Sequence, residues 1–132
     1  YHSNCTFYDG IPVYRDLEPS SGLHIVTPAE GERMAETLGD KRGVLIRNHG
    51  VVVVGESLPR VLYSSITLRD GAKILLNTLA LGLEPHYISE EEARRCTEIQ
   101  FGEVGLARGW NYWCTKAKEA FPDIADIPHA SG

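Results

Sequence analysis

At 132 residues, with 42% hydrophobic and 23% charged side chains, the chain has the length and mixture of one soluble globular domain able to bury a core. Its net charge of −5 excludes the clustered excess of Lys and Arg that a nucleic-acid footprint requires. No run approaches the roughly 20 apolar residues of a membrane span, since Arg69, Asp70 and Lys73 interrupt the longest helical candidate.

The chain opens on Tyr1 rather than Met, close to the first turn signal at Asp9-Gly10. The amino terminus therefore reads as cut, and a targeting segment could have preceded it. Cys5, Cys96 and Cys114 are too few and too widely spaced for a disulfide framework or a zinc ribbon, so reduced thiols in a cytoplasmic protein are expected. His2 lies in a polar cluster with Ser3 and Asn4, and its simplest reading is a solvent-exposed terminal histidine.

A short strand is expected around Ile11 to Tyr14. Loop chemistry follows at Glu18-Pro19-Ser20-Ser21-Gly22, and then a second short strand from Leu23 to Val26. Thr27 as N-cap, Pro28 at the first helical position and Glu30 two residues on form a capping box, which predicts a helix from Pro28 to Leu38 closed by Gly39. Next, Gly43 to Ile46 and Val51 to Val54 are apolar, β-branched runs divided by polar residues, which predicts a hairpin turning at Asn48-His49-Gly50.

From Leu58 to Leu81, Val61, Ser65, Leu68, Ala72, Leu75, Leu76 and Leu79 recur at three- and four-residue spacing. They predict one helix with a single buried stripe, ended by Gly82. Gly71 within it reads either as a site of close backbone approach or as a tolerated small residue. Ser89 ahead of Glu90, Glu91 and Glu92 is a second capping box with an acidic first turn. That helix should continue through Ala93, Cys96 and Ile99, with Gly102, Gly105 and Gly109 kinking or breaking it before a further helical stretch at Trp110-Asn111-Tyr112-Trp113. Residues 121–132 hold two prolines and little periodicity, and are expected to be extended or partly disordered.

Among chemical candidates, His49 stands out. A turn fixed by two strands holds an imidazole with little freedom left to lose on metal binding. Gly50, able to adopt positive φ, would leave the ring unobstructed, although an ordinary hairpin histidine fits the same pattern. His24, His86 and His129 carry weaker claims, because none has a partner at helical spacing or in an H-x-H pair. Trp110, Tyr112 and Trp113 read more simply as a packing anchor than as a substrate wall. The acidic triplet reads as a helix start. There is no G-x-S-x-G, P-loop or G-x-G-x-x-G.

The order of a Thr27-Pro28-Ala29-Glu30 helix, the block Arg47-Asn48-His49-Gly50-Val51-Val52-Val53-Val54-Gly55 and a long helix from Leu58 resembles the class II aldolase and adducin family, most clearly over residues 11–100. The resemblance implies an α/β fold, with a mainly antiparallel sheet flanked by helices in three αβα layers. Residues 1–120 would form the carboxy-terminal part of that single domain and 121–132 a tail. It also implies that His49 is one of three histidines holding a divalent cation, Zn²⁺, Mn²⁺ or Fe²⁺. The other two form an H-x-H pair upstream, and neither that pair nor the acidic residue further upstream is present. The chain then reads as a fragment or a degenerate member, inactive by itself.

In the sugar-phosphate aldolases of the family a tyrosine follows the histidine matched to His2, and here Ser3 takes its place. The Gly10-Ile11-Pro12-Val13-Tyr14 strand and the Trp-rich element are more similar to the branch that decarboxylates hydroxylated aromatic or oxo-diene carboxylic acids. On that resemblance His2 is the candidate proton donor, Ser3 and Asn4 are candidate substrate contacts, and His49 is the metal ligand of a C–C lyase. Homotetramers with active sites between subunits are the family habit. Two alternatives remain: a sugar-phosphate aldolase or epimerase, and a non-catalytic adducin-like assembly module.

Overall fold

The computed structural model describes residues 2–18, 22 and 24–123, and of His2 the backbone alone. A 3₁₀ segment, His2–Phe7, leads to strand β1, Val13–Tyr14. Helix α1, Pro28–Leu38, connects it to a hairpin of β2, Gly43–Ile46, and β3, Gly50–Val53. Three helices complete the order: α2, Leu58–Ala80; α3, Glu90–Gln100; and α4, Glu103–Ala120.

The sheet runs in the order β1-β2-β3. β1 lies parallel to β2, with Val13 opposite Leu45 and Tyr14 opposite Ile46, and β3 lies antiparallel to β2, from Gly43 opposite Val53 to Ile46 opposite Gly50. Because strand side chains alternate between faces, Val44 and Ile46 point with Tyr14 into the core. There α1 and its flanks cover them with Leu17, Ile25, Met34 and Leu38. Leu45 and Val51, paired across the hairpin, face the other way and are partly exposed.

Helix α1 starts as its sequence predicts. The Thr27 hydroxyl accepts from the Glu30 N–H at 3.3 Å, and Glu30 Oε2 accepts in return from the N–H groups of Thr27 and Val26 at 2.9 and 3.0 Å. That second bond explains one correction. The expected strand at Leu23–Val26 does not form over its described residues, 24–26: the Val26 N–H serves the helix start instead of a ladder.

Helix α2 closes in a Schellman arrangement. The Leu83 N–H reaches Thr78 O and the Gly82 N–H reaches Leu79 O, with Gly82 at φ 70°. The predicted stripe keeps its period but not its burial. The residues that α2 buries are Ser64, Thr67 and Gly71, while Leu75, Leu76 and Leu79 are exposed. Periodicity fixes which side residues share, not whether anything covers that side. At Gly71 the close-approach reading holds, though the neighbour is a side chain: a Cβ there would stand 2.4 Å from Asn4 Cγ.

The break near the third helix occurs once. Gly102 is the N-cap of α4, and Gly105 and Gly109 lie inside that helix. Their missing side chains let α4 pass close to its neighbours: a Cβ on Gly105 would meet Gln100 O and Ile99 O at 2.7 Å, and one on Gly109 would meet Trp113 and Tyr63. Tyr63 also donates to Gln100 Oε1 at 2.9 Å, tying α2 to the end of α3. The predicted tail lies outside the described residues from position 124 onward.

Candidate functional site

Arg47, Asn48 and His49 form the loop between β2 and β3, with the His49 N–H donating to Ile46 O at 3.0 Å. The left-handed residue is Asn48, at φ 56°, a conformation that asparagine tolerates better than most side chains. Gly50 is a strand residue without positive φ and a Cβ there would meet nothing, which corrects the expectation that glycine made the turn. The consequence for His49 is unchanged: its side chain stands exposed at the end of a short, hydrogen-bonded hairpin.

A second imidazole stands beside it. His24, also exposed, lies on the connection into α1, and the two ring centroids are 5.4 Å apart at an interplanar angle of 73°. No spacing rule links these positions. They meet because the parallel β1-α1-β2 arrangement brings the lead-in to α1 alongside the end of β2.

On the other face of the sheet, Leu45, Gly50 and Val51 form part of an open groove of about 1080 Å³, walled by Leu68 and Leu75 of α2 and reached by Asn4 of the 3₁₀ segment. Asn4 is half-buried, pressed against Gly71, and its Oδ1 is enclosed with no hydrogen-bond partner. Arg69 and Glu90 add charge to the lining. The Arg69 guanidinium holds the adjacent Asp70 carboxyl below its usual range through a 2.8 Å contact. Behind Asn4, Cys5 is buried, and that burial pushes its thiol pKa up.

The predicted residues therefore divide. Asn4 reaches the groove and His49 stands at the hairpin tip. Ser3 is half-buried and is not among the groove's lining residues. His2 opens the 3₁₀ segment with its side chain outside the description, and His129 lies outside the described residues altogether. Among the described residues no group of three or more His, Cys, Asp or Glu side chains gathers to hold a metal. The donor chemistry at the tip nevertheless suits a divalent cation, because His24 and His49 offer two exposed imidazoles side by side. A complete site needs further ligands.

The arrangement of sheet and helices is that of an aldolase II superfamily protein from Pseudomonas syringae, whose crystal structure superposes with a TM-score of 0.73 at 20% identity, covering 93% of this chain and 49% of that one. The family model for the Class II Aldolase and Adducin N-terminal domain matches residues 1–76. The chain belongs to the class II aldolase and adducin family.

Among curated proteins it is similar to Decarboxylase NovR of Streptomyces niveus, 31% identical over 96% of this chain and 45% of that protein. A 4-hydroxy-3-prenylphenylpyruvate oxygenase/4-hydroxy-3-prenylbenzoate synthase of Streptomyces roseochromogenus is 32% identical over 96% and 44%. The Meiotically up-regulated gene 14 protein of Schizosaccharomyces pombe is 28% identical over 77% and 39%. The chain thus spans less than half the length of the curated relatives it matches. Class II aldolases are generally dependent on a divalent metal. No helix among the described residues is long and apolar enough to cross a membrane.

Proposed function

We propose that the protein acts as a divalent-metal-dependent C–C lyase that decarboxylates a hydroxylated aromatic or oxo-diene carboxylic acid. The observation that carries this reading is the placement of His49, exposed at the end of a hairpin whose turn is fixed by Asn48. The branch rests on the two relatives above 30% identity, whose names state decarboxylation and prenylbenzoate synthesis.

When bound, a divalent cation would supply Lewis acidity for the negative charge that develops as the C–C bond breaks. The chain's own groups do the rest. His49 holds one coordination position. Asn4, which lines the groove, is assigned a substrate contact. His2 is assigned the return of a proton to carbon, and Ser3 a supporting contact. Further ligands complete the coordination, and the assembly in this reading is a tetramer.

The test is CO₂ release by the intact protein from a panel of 4-hydroxybenzoates, 4-hydroxyphenylpyruvates and oxo-diene acids, with oxygen uptake followed in parallel and with sugar phosphates as the aldolase control. Activity on a carboxylic acid that is lost with chelator and in His49→Ala supports the lyase. Retro-aldol cleavage of a sugar phosphate replaces it with the aldolase. The second reading is the non-catalytic assembly module. An intact protein that binds no divalent metal would establish it.

A further inference from the structure

We propose that His24 is a second imidazole ligand at the cation site of His49. This deepens the metal reading of His49 and rests on it. The two rings come from separate elements, one preceding α1 and the other ending the β2–β3 hairpin, and both are solvent-exposed. Two imidazoles bound to one tetrahedral cation, each with a metal–nitrogen bond of about 2 Å, place their ring centroids roughly 5 Å apart. The separation here is 5.4 Å, with the rings steeply inclined at 73°. Rotation about the side-chain bonds can direct two nitrogens of this pair at one ion.

The backbone on both sides favours that geometry. The His49 main chain is held by its bond to Ile46 O. Two residues after His24, the Val26 N–H is fixed on Glu30 Oε2. Both rings thus project from anchored backbone, so little freedom is lost when a cation joins them. A site that takes His24 leaves fewer positions to be filled from elsewhere, and its imidazole donors suit Zn²⁺ or Fe²⁺.

The test is Co²⁺ titration of the intact protein, followed by visible absorption and by the paramagnetically shifted histidine ring protons in NMR. Circular dichroism confirms that the His24→Ala and His49→Ala variants remain folded, as both side chains are exposed. Two shifted imidazole signals are expected in the parent. One should vanish in each variant, with Co²⁺ affinity reduced at least about tenfold in both. If His24→Ala keeps both the parental affinity and the His49 signal, His24 is an edge-on neighbour and this proposal is overturned while the metal role of His49 stands. If His49→Ala keeps the parental affinity, or the intact protein binds no Co²⁺, the metal reading of His49 fails and the ligand role of His24 fails with it.

Discussion

The two faces of the sheet are finished to different degrees. On one, Tyr14, Val44 and Ile46 are buried beneath α1, whose first turn has its backbone donors met by Thr27 and Glu30. On the other, Leu45 and Val51 stand partly exposed as part of the groove, and α2 beyond Gly71 carries Leu75, Leu76 and Leu79 into solvent. The first face is a closed core. The second is apolar surface that the described residues leave open, in a chain that spans less than half of its relatives. Stability should therefore respond to substitution on the first face and scarcely on the second.

The largest expected effect is at Tyr14. Replacing this fully buried ring by Ala should cost about 3–5 kcal/mol in urea unfolding. A loss near that at an exposed site would place the core elsewhere.

At the groove, where α2 packs on the 3₁₀ segment, Gly71→Ala drives a Cβ into Asn4. The overpacking should outweigh the gain in helix propensity, for a net loss of about 1–2 kcal/mol. Adding Asn4→Ala should restore most of it. If the double variant is no better than the single, the clash is not the cause.

Thr27→Ala removes the N-cap acceptor and should cost about 1 kcal/mol, with Thr27→Ser close to parental. The same box predicts a pH dependence. Hydrogen bonds from the Val26 N–H and from Thr27 lower the Glu30 pKa below its ordinary 4.5. The stability it contributes is thus fully present above that value and lost as pH falls through the depressed folded value. Glu30→Gln should remove that part of the acid slope, and an unchanged slope would assign it to other carboxylates. At the small end, Leu76→Ser on the open side should change stability by no more than about 0.5 kcal/mol while reducing self-association in sedimentation. A large destabilisation would mean that this side is covered after all.

Features that depend on neighbours in sequence were legible in it. The Thr27–Glu30 and Ser89–Glu92 boxes follow from residues three apart, and both form with their reciprocal bonds. The hairpin was legible too, though its left-handed position fell on Asn48 rather than Gly50, because both residue types permit it. The encounter of His24 with His49 was hidden, since it arises from a parallel strand pairing that no local pattern announces. The openness of the α2 stripe was hidden for a related reason: a period of 3.6 reports a side, and its covering is a tertiary fact. The run of α4 through Gly105 and Gly109 was missed because the glycines serve close packing against α3 and α2 rather than ending a helix.

The strand order also imposes a sequence of events. β2 and β3 meet through a three-residue loop, Arg47 to His49, and hairpins of this kind close on the order of microseconds. β1 joins β2 in parallel only after the chain has travelled through α1, and so must meet the larger entropy of a long closure. A refolding molecule is therefore expected to assemble the turn that bears His49 before the strand that carries Tyr14. On that order the imidazole of His49 is set first, and the α1 crossover then brings His24 to its side.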